Sequence, residues 1–217
     1  MRVKTFTTFL FLVLFTVSAL ADDVKVIVYN YDGRAKTVRN KKTVPVDLDM
    51  TCQNNDLYRT ESDSFIDFTV QDLGGLRVFE SAEIVTTNTN PSNLMFTLLS
   101  GTVLTNLREF PEGSAFQLDT PLATIWVNKG GQFLARVKKD GAGMTTVFVS
   151  VRKGALRISA KKSGAAVSLL QGQAMEIPDQ EGYIPTPRSA TEEENDAMHK
   201  ASGIYIIEAL PSNNNDS

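Results

Sequence analysis

The sequence predicts an all-β protein of twisted antiparallel sheets, arranged as a sandwich or as a short solenoid-like stack, with one short C-terminal helix. Apolar and polar residues alternate over short runs, which is the period of an extended strand with one buried face. Glycines stand beside polar residues at the breaks between these runs, where the chain must turn. Regularly spaced short strands with such turns are typical of β-sandwiches and barrels.

Residues 1–21 are predicted to be a cleavable secretory signal peptide. Arg2 and Lys4 precede an apolar run at residues 9–17, and Ala19-Leu20-Ala21 offers the small residues of a cleavage site. An apolar run of about ten residues is too short to cross a bilayer as a helix. The mature protein is therefore expected to be periplasmic or secreted, without a transmembrane segment.

The charge, length and cysteine content of the sequence limit the classes of function that the protein can have. Removing residues 1–21 leaves 20 basic and 25 acidic residues, which gives no electrostatic reason to expect nucleic-acid binding. The remaining 196 residues are enough for one large β-domain. Cys52 is the only cysteine, so no internal disulfide can form, and a partly buried small apolar side chain is the simplest interpretation of it.

The alternating runs place the strands. In the first half, strands are predicted over residues 24–29, 35–39, 43–48, 65–70, 76–78 and 84–85. In the second half, they are predicted over residues 94–99, 103–107, 115–118, 122–127, 132–137, 145–151, 155–159, 166–170 and 174–177. Residues 94–99 are apolar without alternation, which predicts a strand buried on both faces. Ser100-Gly101 and Lys153-Gly154 are predicted to be turns between strands.

The β-pattern ends at Pro185 and Pro187, so the β-domain is predicted to span residues 22–187. Thr191-Glu192-Glu193-Glu194 forms a capping box, which predicts a helix that continues to about Ser202. One further strand is possible within residues 204–210, so residues 188–210 form a separate C-terminal element. Residues 211–217 are predicted to be a polar, disordered tail.

Four motifs in the second half occur in a recognisable order. Thr120-Pro121 opens a strand, and Lys129-Gly130-Gly131 makes a turn that is followed by Phe133. A valine-rich strand ends at Gly154, and Gly172-Gln173 makes a last turn. Together these motifs resemble the FecR family, the extracytoplasmic β-domain first known from regulators of iron-uptake signalling. The resemblance covers residues 44–177 and implies that the motif residues are structural.

Two features differ from the family pattern. Lys129 and Gly131 stand where the family has arginine and threonine, and lysine lacks the planar fork of arginine. A signal peptide replaces the cytoplasmic helical segment and transmembrane helix of the sigma-regulating members. The resemblance therefore implies a stand-alone exported form in the bacterial envelope, without contact to a cytoplasmic sigma factor.

Catalytic chemistry has few candidates in this sequence. His199 is the only histidine, so a Ser/His or Cys/His pair would depend on the predicted terminal helix. Asp47 and Asp49 are predicted to share one face of a strand, where they could serve a carboxylate-dependent hydrolase or bind calcium. An acidic strand end in solvent is the commoner explanation. We expect no enzyme activity, no cofactor and no metal.

Basic residues collect near predicted turns and form a candidate binding rim. Its members are Arg39, Lys41, Lys42, Arg152, Lys153 and Arg157. A rim of this kind could bind an acidic protein, peptidoglycan or another anionic polysaccharide, although charged residues also protect sheet edges from aggregation. Trp126, the only tryptophan, is predicted to pack in the core or in an interface rather than to stack on a sugar.

The predicted function is an exported, non-catalytic binding and signalling module that recognises an envelope protein. The alternative is a module that binds peptidoglycan or an anionic polysaccharide, and a remote alternative is the carboxylate-dependent hydrolase.

Overall fold

The protein is all-β, as the sequence predicts, and of the two predicted arrangements its sheets form the sandwich. The computed structural model describes residues 25–70, 72–90, 92–181 and 183–196, and these form fifteen strands and the first turns of one helix at residues 192–196. The predicted signal peptide, His199, the predicted strand within 204–210 and the predicted tail lie outside the described residues. In the described part of the chain, no helix has the length and apolar character needed to cross a membrane.

The strands form two sheets, A and B, which share two long strands. The shared strands are β8 (Asn93–Leu107) and β12 (Thr145–Ala160). The other strands of sheet A are β1 (Val26–Asp32), β5 (Phe65–Val70), β6 (Gly74–Val78), β11 (Gly131–Lys139), β14 (Gln173–Pro178) and β15 (Arg188–Ser189). The other strands of sheet B are β2 (Ala35–Arg39), β3 (Lys42–Pro45), β4 (Asp56–Thr60), β7 (Glu83–Asn88), β9 (Ala115–Asp119), β10 (Ala123–Val127) and β13 (Ala166–Leu170).

Hydrogen-bonded neighbours define the order in each sheet. Sheet A runs β1-β5-β6-β8-β11-β12-β14-β15. Sheet B runs β3-β2-β4-β7-β8-β9-β10-β12-β13. The strand pairs are antiparallel, as predicted, except β8 with β9, which is parallel. The parallel pair arises because the loop between these strands returns the chain to the start of β8.

β8 and β12 each pass from one sheet into the other. The first half of β8 pairs with β7 and β9 in sheet B, and its second half pairs with β6 and β11 in sheet A. The bends lie near Gly101 and Gly154, whose φ angles are +88° and +87°. The turns predicted at Ser100-Gly101 and Lys153-Gly154 are therefore wrong, because each glycine lets one continuous strand change direction.

The core lies between the two sheets and contains a chain of aromatic rings. The rings are Tyr58, Phe68, Phe96, Phe116 and Phe133, all fully buried, and neighbouring ring centroids are 4.8 to 6.4 Å apart. These side chains come from β4, β5, β8, β9 and β11, so both sheets contribute to the chain. Tilted and edge-to-face contacts at such distances are the arrangements that aromatic pairs prefer.

One sequence prediction about burial fails, and for Trp126 the core alternative fails while packing in an interface stays a prediction. In β8, Leu94, Phe96 and Leu98 are buried but Leu99 is 37 % exposed, so this strand is buried on one face and not on both. In β10, the buried residues alternate with Trp126, which is half-buried on the outer face of sheet B. Its Nε1 donates a hydrogen bond to Gln117 Oε1 at 3.1 Å. Trp126 therefore does not belong to the core.

Asp47 and Asp49 do not lie on a strand. β3 ends at Pro45, and both aspartates are exposed in the loop that follows. Asp49 has a φ of +59°, and its N–H donates to the carbonyl of Val28 at 2.8 Å. The prediction that the two carboxylates share a strand face is wrong, because this loop turns back along β1.

Candidate functional site

A groove runs across the outer face of sheet A, the face that points away from the core. One part of it, about 600 Å³, lies over β11, β12 and β14, and a second part, about 700 Å³, lies over β8 and β11. Leu134, Arg136, Lys138 and Lys139 line both parts, so β11 is the centre of the groove. We call this surface the sheet A groove.

Register brings aromatic and charged side chains into one row across the sheet. Arg136 of β11 is opposite Thr102 on one side and Phe148 on the other. Phe148 is opposite Glu176 of β14, and the N–H of Phe79 donates to the carbonyl of Thr102 at 3.0 Å. Adjacent strands are about 4.8 Å apart, so Arg136 lies between two aromatic side chains within about 10 Å of it.

β11 supplies the positive charge of the groove. Lys138 and Lys139 are exposed, and Arg136 is half-buried with its Nε donating to Thr102 Oγ1 at 3.2 Å. None of the three forms an ion pair with another residue that the structure describes. These three cations, which pair with no carboxylate among the described residues, give β11 a positive charge.

The floor of the groove is apolar. Leu104 and Leu134 are each only 4 % exposed although they lie on the outer face, and the half-buried rings of Phe79 and Phe148 pack against them. This small cluster is separate from the core between the sheets. A buried apolar floor beneath exposed cations is a surface that can bind both an apolar and a charged side chain.

One hydroxyl group in the groove has no hydrogen-bond partner. Ser150 lines the groove and is 1 % exposed, yet its Oγ contacts no donor or acceptor among the described residues. A buried hydroxyl without a partner costs free energy.

An acidic border closes the groove on the side of β14. Glu176, Glu193 and Glu194 line it, and the predicted capping box positions Glu194. The Thr191 N–H donates to Glu194 Oε2 at 2.8 Å, and the Glu194 N–H donates to Thr191 Oγ1 at 3.2 Å, so the capping box is confirmed. Arg188 also binds Glu194 at 2.6 Å, and this contact lowers the pKa of Glu194 to about 2.

Beside the groove, the same sheet face holds a buried ion pair. Arg77 of β6 binds both carboxylate oxygens of Asp67 of β5, and its guanidinium carbon lies 3.9 Å from the centre of the Phe65 ring. Loss of water raises the pKa of Asp67 and lowers the pKa of Arg77. The pair therefore links β5 to β6, although removing its two charges from water costs free energy.

A second polar network ties the β2 end of sheet B together. Arg39 donates to Asp56 through Nε at 2.9 Å and through Nη2 at 2.6 Å, and Asp56 also accepts from the Gln53 N–H at 2.8 Å. Cys52 is buried beside this network, and burial raises the pKa of its thiol to about 12. The thiol is therefore protonated at neutral pH and is a poor nucleophile.

Comparison with known proteins assigns the family. A sequence model described as FecR protein matches residues 56–157. This match confirms the FecR prediction over residues 56–157. No curated protein matches it.

Two solved structures share the fold. They are crystal structures of a Parabacteroides distasonis protein that is provisionally named an anti-sigma factor, determined at 2.50 and 1.65 Å. Each is 17 % identical to this chain, with a TM-score of 0.53, and the aligned part covers 65 % of this chain. The alignment covers 62 % and 63 % of those chains, which is less than two thirds of their length. At this identity the likeness shows the fold alone.

The first FecR motif closes a hairpin. Thr120 is fully buried between β9 and β10, and its hydroxyl donates to the Ala123 carbonyl at 2.7 Å and accepts from the Ala123 N–H at 3.0 Å. Pro121 follows in the exposed part of this turn. The Thr120 hydroxyl thus holds the start of β10 by donating one hydrogen bond and accepting another.

The glycine motifs lie where the chain crosses between the sheets. Gly130 has a φ of +71°, and a Cβ there would be 2.4 Å from the Arg108 carbonyl oxygen. A Cβ at Gly154 would be 3.0 Å from the Gly130 carbonyl oxygen, while Lys129 is exposed in the same turn. Because Lys129 points to solvent, replacing the family arginine does not disturb this crossing.

The remaining motif residues are also structural. Phe133 ends the aromatic chain of the core. Gly172 has a φ of +77° in the turn from β13 to β14, and Gln173 Oε1 accepts a hydrogen bond from the Leu170 N–H at 2.8 Å. The FecR motif residues therefore build the scaffold and do not line the sheet A groove.

The six residues of the candidate rim do not form one patch. Arg39, Lys41 and Lys42 lie at the β2–β3 turn, and Arg157 lies on the outer face of β12, six strands away in sheet B. At about 4.8 Å per strand this is a separation of about 29 Å. Arg152 and Lys153 stand at the bulge before the bend of β12. This distribution gives the polysaccharide alternative no continuous basic surface.

Sequence reasoning missed the sheet A groove. The signal was present in residues 133–135, Phe-Leu-Ala, where consecutive apolar residues show that both faces of β11 are covered. Lys138 and Lys139 come near Phe148 only through the pairing of β11 with β12, which the sequence does not reveal.

Proposed function

We propose that the chain is an exported, non-catalytic signalling module that recognises a protein partner through the sheet A groove. The observation that carries the proposal is the row on β11, in which cations that form no ion pair among the described residues lie above a buried apolar floor. The partner segment that fits has acidic side chains over Lys138 and Lys139 and apolar side chains against Phe79 and Phe148.

The regulatory part of the proposal comes from the relatives. The Parabacteroides distasonis protein with the same fold is provisionally named an anti-sigma factor, and a module that regulates another protein must bind one. The predicted signal peptide supports a location outside the cytoplasm. The protonated, buried Cys52 supports a non-catalytic role, because it leaves the chain without an activated thiol.

Crosslinking in living cells tests the groove. The double variant Lys138→Glu/Lys139→Glu reverses the charge of the groove at two exposed positions, and Lys41→Glu/Lys42→Glu makes the same change at the distant β2–β3 turn. We expect crosslinked partner bands to disappear in the first variant and to persist in the second. Bands that persist in both variants would contradict recognition by the groove.

Two further measurements test the rest of the proposal. Digestion with a muramidase should leave the crosslinked bands unchanged, whereas loss of the bands would favour the polysaccharide alternative. Cell fractionation followed by N-terminal sequencing should find the protein outside the cytoplasm, starting at Asp22. A cytoplasmic protein that retains Met1 would contradict export.

A further inference from the structure

Three of the four sheet edges in the described structure are protected against pairing with another strand. Loop residues 49–52 cover β1, where the Val28 N–H donates to the Met50 carbonyl at 2.9 Å and the Cys52 N–H donates to the Val26 carbonyl at 2.8 Å. β15 covers only the first two residues of β14, and the rest of that strand carries Glu176 and Pro178. β3 carries Lys42 and Pro45, and charged residues and prolines are typical protection for an edge strand.

β13, the remaining edge, has no such protection. Its sequence, Ala-Val-Ser-Leu-Leu, contains no charge and no proline, and no strand that the structure describes pairs with its outer side. Leu170 is 52 % exposed at its end. An uncharged edge of this length is a template for pairing with another strand.

The hydrogen bonds show which backbone groups this edge offers. The Ala165 carbonyl accepts from the Ala160 N–H at 2.9 Å, so residues 165, 167 and 169 direct their groups toward β12. The Leu170 N–H donates away from β12, to Gln173 Oε1. The N–H and C=O groups of Ala166 and Ser168 therefore point outward.

We propose that β13 pairs with β13 of a second copy of this chain, antiparallel and centred on Ser168, to form a dimer with one continuous sheet B. In this register, Ser168 of each copy donates to and accepts from Ser168 of the second copy. Each Ala166 N–H donates to the Leu170 carbonyl of the second copy. The Leu170 N–H keeps its hydrogen bond to the Gln173 side chain and does not bond the second copy. The pairing therefore ends at Leu170.

Side chains favour this register. The large, exposed Leu170 lies opposite the small Ala166 of the second copy, so each leucine is covered without a clash. The nearby Lys161 and Lys162 are neutralised by Asp119 and Asp179. Arg157, opposite Ser168, would be about 14 Å from Arg157 of the second copy, which is beyond a Debye length of about 8 Å at physiological salt.

Register-specific crosslinking tests the proposal. Directly opposed residues of a hydrogen-bonded antiparallel pair have Cα atoms about 5.5 Å apart, within the range that a disulfide bridges. Ser168→Cys should therefore give a covalent dimer under mild oxidation. Ala166→Cys is the matched control, because its Cα would be about 14 Å along the strand from the same residue of the second copy. Cys52 is buried and present in both variants.

Sedimentation velocity supplies the second readout. The unmodified protein should be a dimer, and Ser168→Lys should convert it to a monomer by placing two lysines directly opposite each other. Thr43→Lys on the protected β3 edge should remain dimeric. A monomeric unmodified protein, a dimer that survives Ser168→Lys, or equal crosslinking by both cysteine variants would overturn the proposal. These outcomes are independent of partner binding in the sheet A groove.

Discussion

Arg77 holds both carboxylate oxygens of Asp67, with Nε 2.6 Å from Oδ1 and Nη2 2.5 Å from Oδ2. The pair lies on the outer face of sheet A, yet its side chains are only 6 % and 1 % exposed. Antiparallel sandwiches usually expose one face of each sheet to water. Because this pair and Leu134 are buried, the outer face of sheet A differs from the usual solvent-exposed face of a sandwich.

Removing one member of this pair should destabilise the protein strongly. Arg77→Ala would leave the Asp67 carboxylate buried without its partner, so we expect a loss of about 3 to 5 kcal/mol in the free energy of unfolding. Urea denaturation measures it. The control is Arg59→Ala, which breaks an ion pair with Glu83 whose side chains are 50 % and 39 % exposed, and should cost about 1 kcal/mol or less. Equal losses would contradict the argument.

Two glycines of the family motifs allow the steric cost of an added Cβ to be measured separately from the cost of a positive φ. Gly130 and Gly172 have similar φ angles of +71° and +77°, but a Cβ at Gly172 would contact nothing within 4 Å. Gly172→Ala should therefore cost only the backbone penalty of about 1 to 2 kcal/mol. Gly130→Ala should cost clearly more, because its Cβ would overlap the Arg108 carbonyl. Thermal denaturation of the two variants measures both losses of stability. A larger loss in Gly172→Ala than in Gly130→Ala would show that the backbone around Gly130 can shift to accommodate the Cβ.

Thr120 should be replaceable by serine but not by valine. Thr120→Val has nearly the same shape but leaves the Ala123 N–H and carbonyl without the hydroxyl, at a cost of about 1 to 3 kcal/mol. Thr120→Ser keeps both hydrogen bonds and should lose less. Chemical denaturation tests this, and a valine variant as stable as the serine variant would exclude the hydroxyl as the reason for the motif.

The contact between Arg188 and the helix start should respond to acid. The folded pKa of Glu194 is about 2, below its ordinary 4.5. The stability that this carboxylate contributes is therefore fully present above pH 4.5 and is lost as the pH falls through about 2. The Thr191 amide signal in NMR spectra should report the change. Glu194→Gln should abolish this pH dependence, and a titration of Thr191 that persists in this variant would point to another group.

Much of the strand pattern could be predicted because local sequence determines it. Alternation placed strands such as residues 35–39 and 166–170 at their observed limits, and Thr191 with Glu194 identified the capping box. These features depend on neighbours a few residues away. The FecR motifs were also recognised, since turns impose their requirements on consecutive residues.

The features that could not be predicted depend on distant pairing. A glycine that bends a strand and a glycine that ends one look alike in sequence, so Gly101 and Gly154 were assigned to turns. Trp126 alternates correctly with its neighbours, but which face of β10 meets the core is decided by β9 and β12. For the same reason, the row from Phe79 to Glu176 exists only once five strands are in register.

The sharing of β12 between the sheets has a mechanical consequence. Phe148 and Ser150 reach the sheet A groove from its first half, and its second half carries β13 at the edge of sheet B. Sliding one sheet over the other would have to break hydrogen bonds along both halves of the same strand. The domain should therefore transmit an applied load as a stiff body, and a partner that pulls on the groove would draw the β13 edge with it.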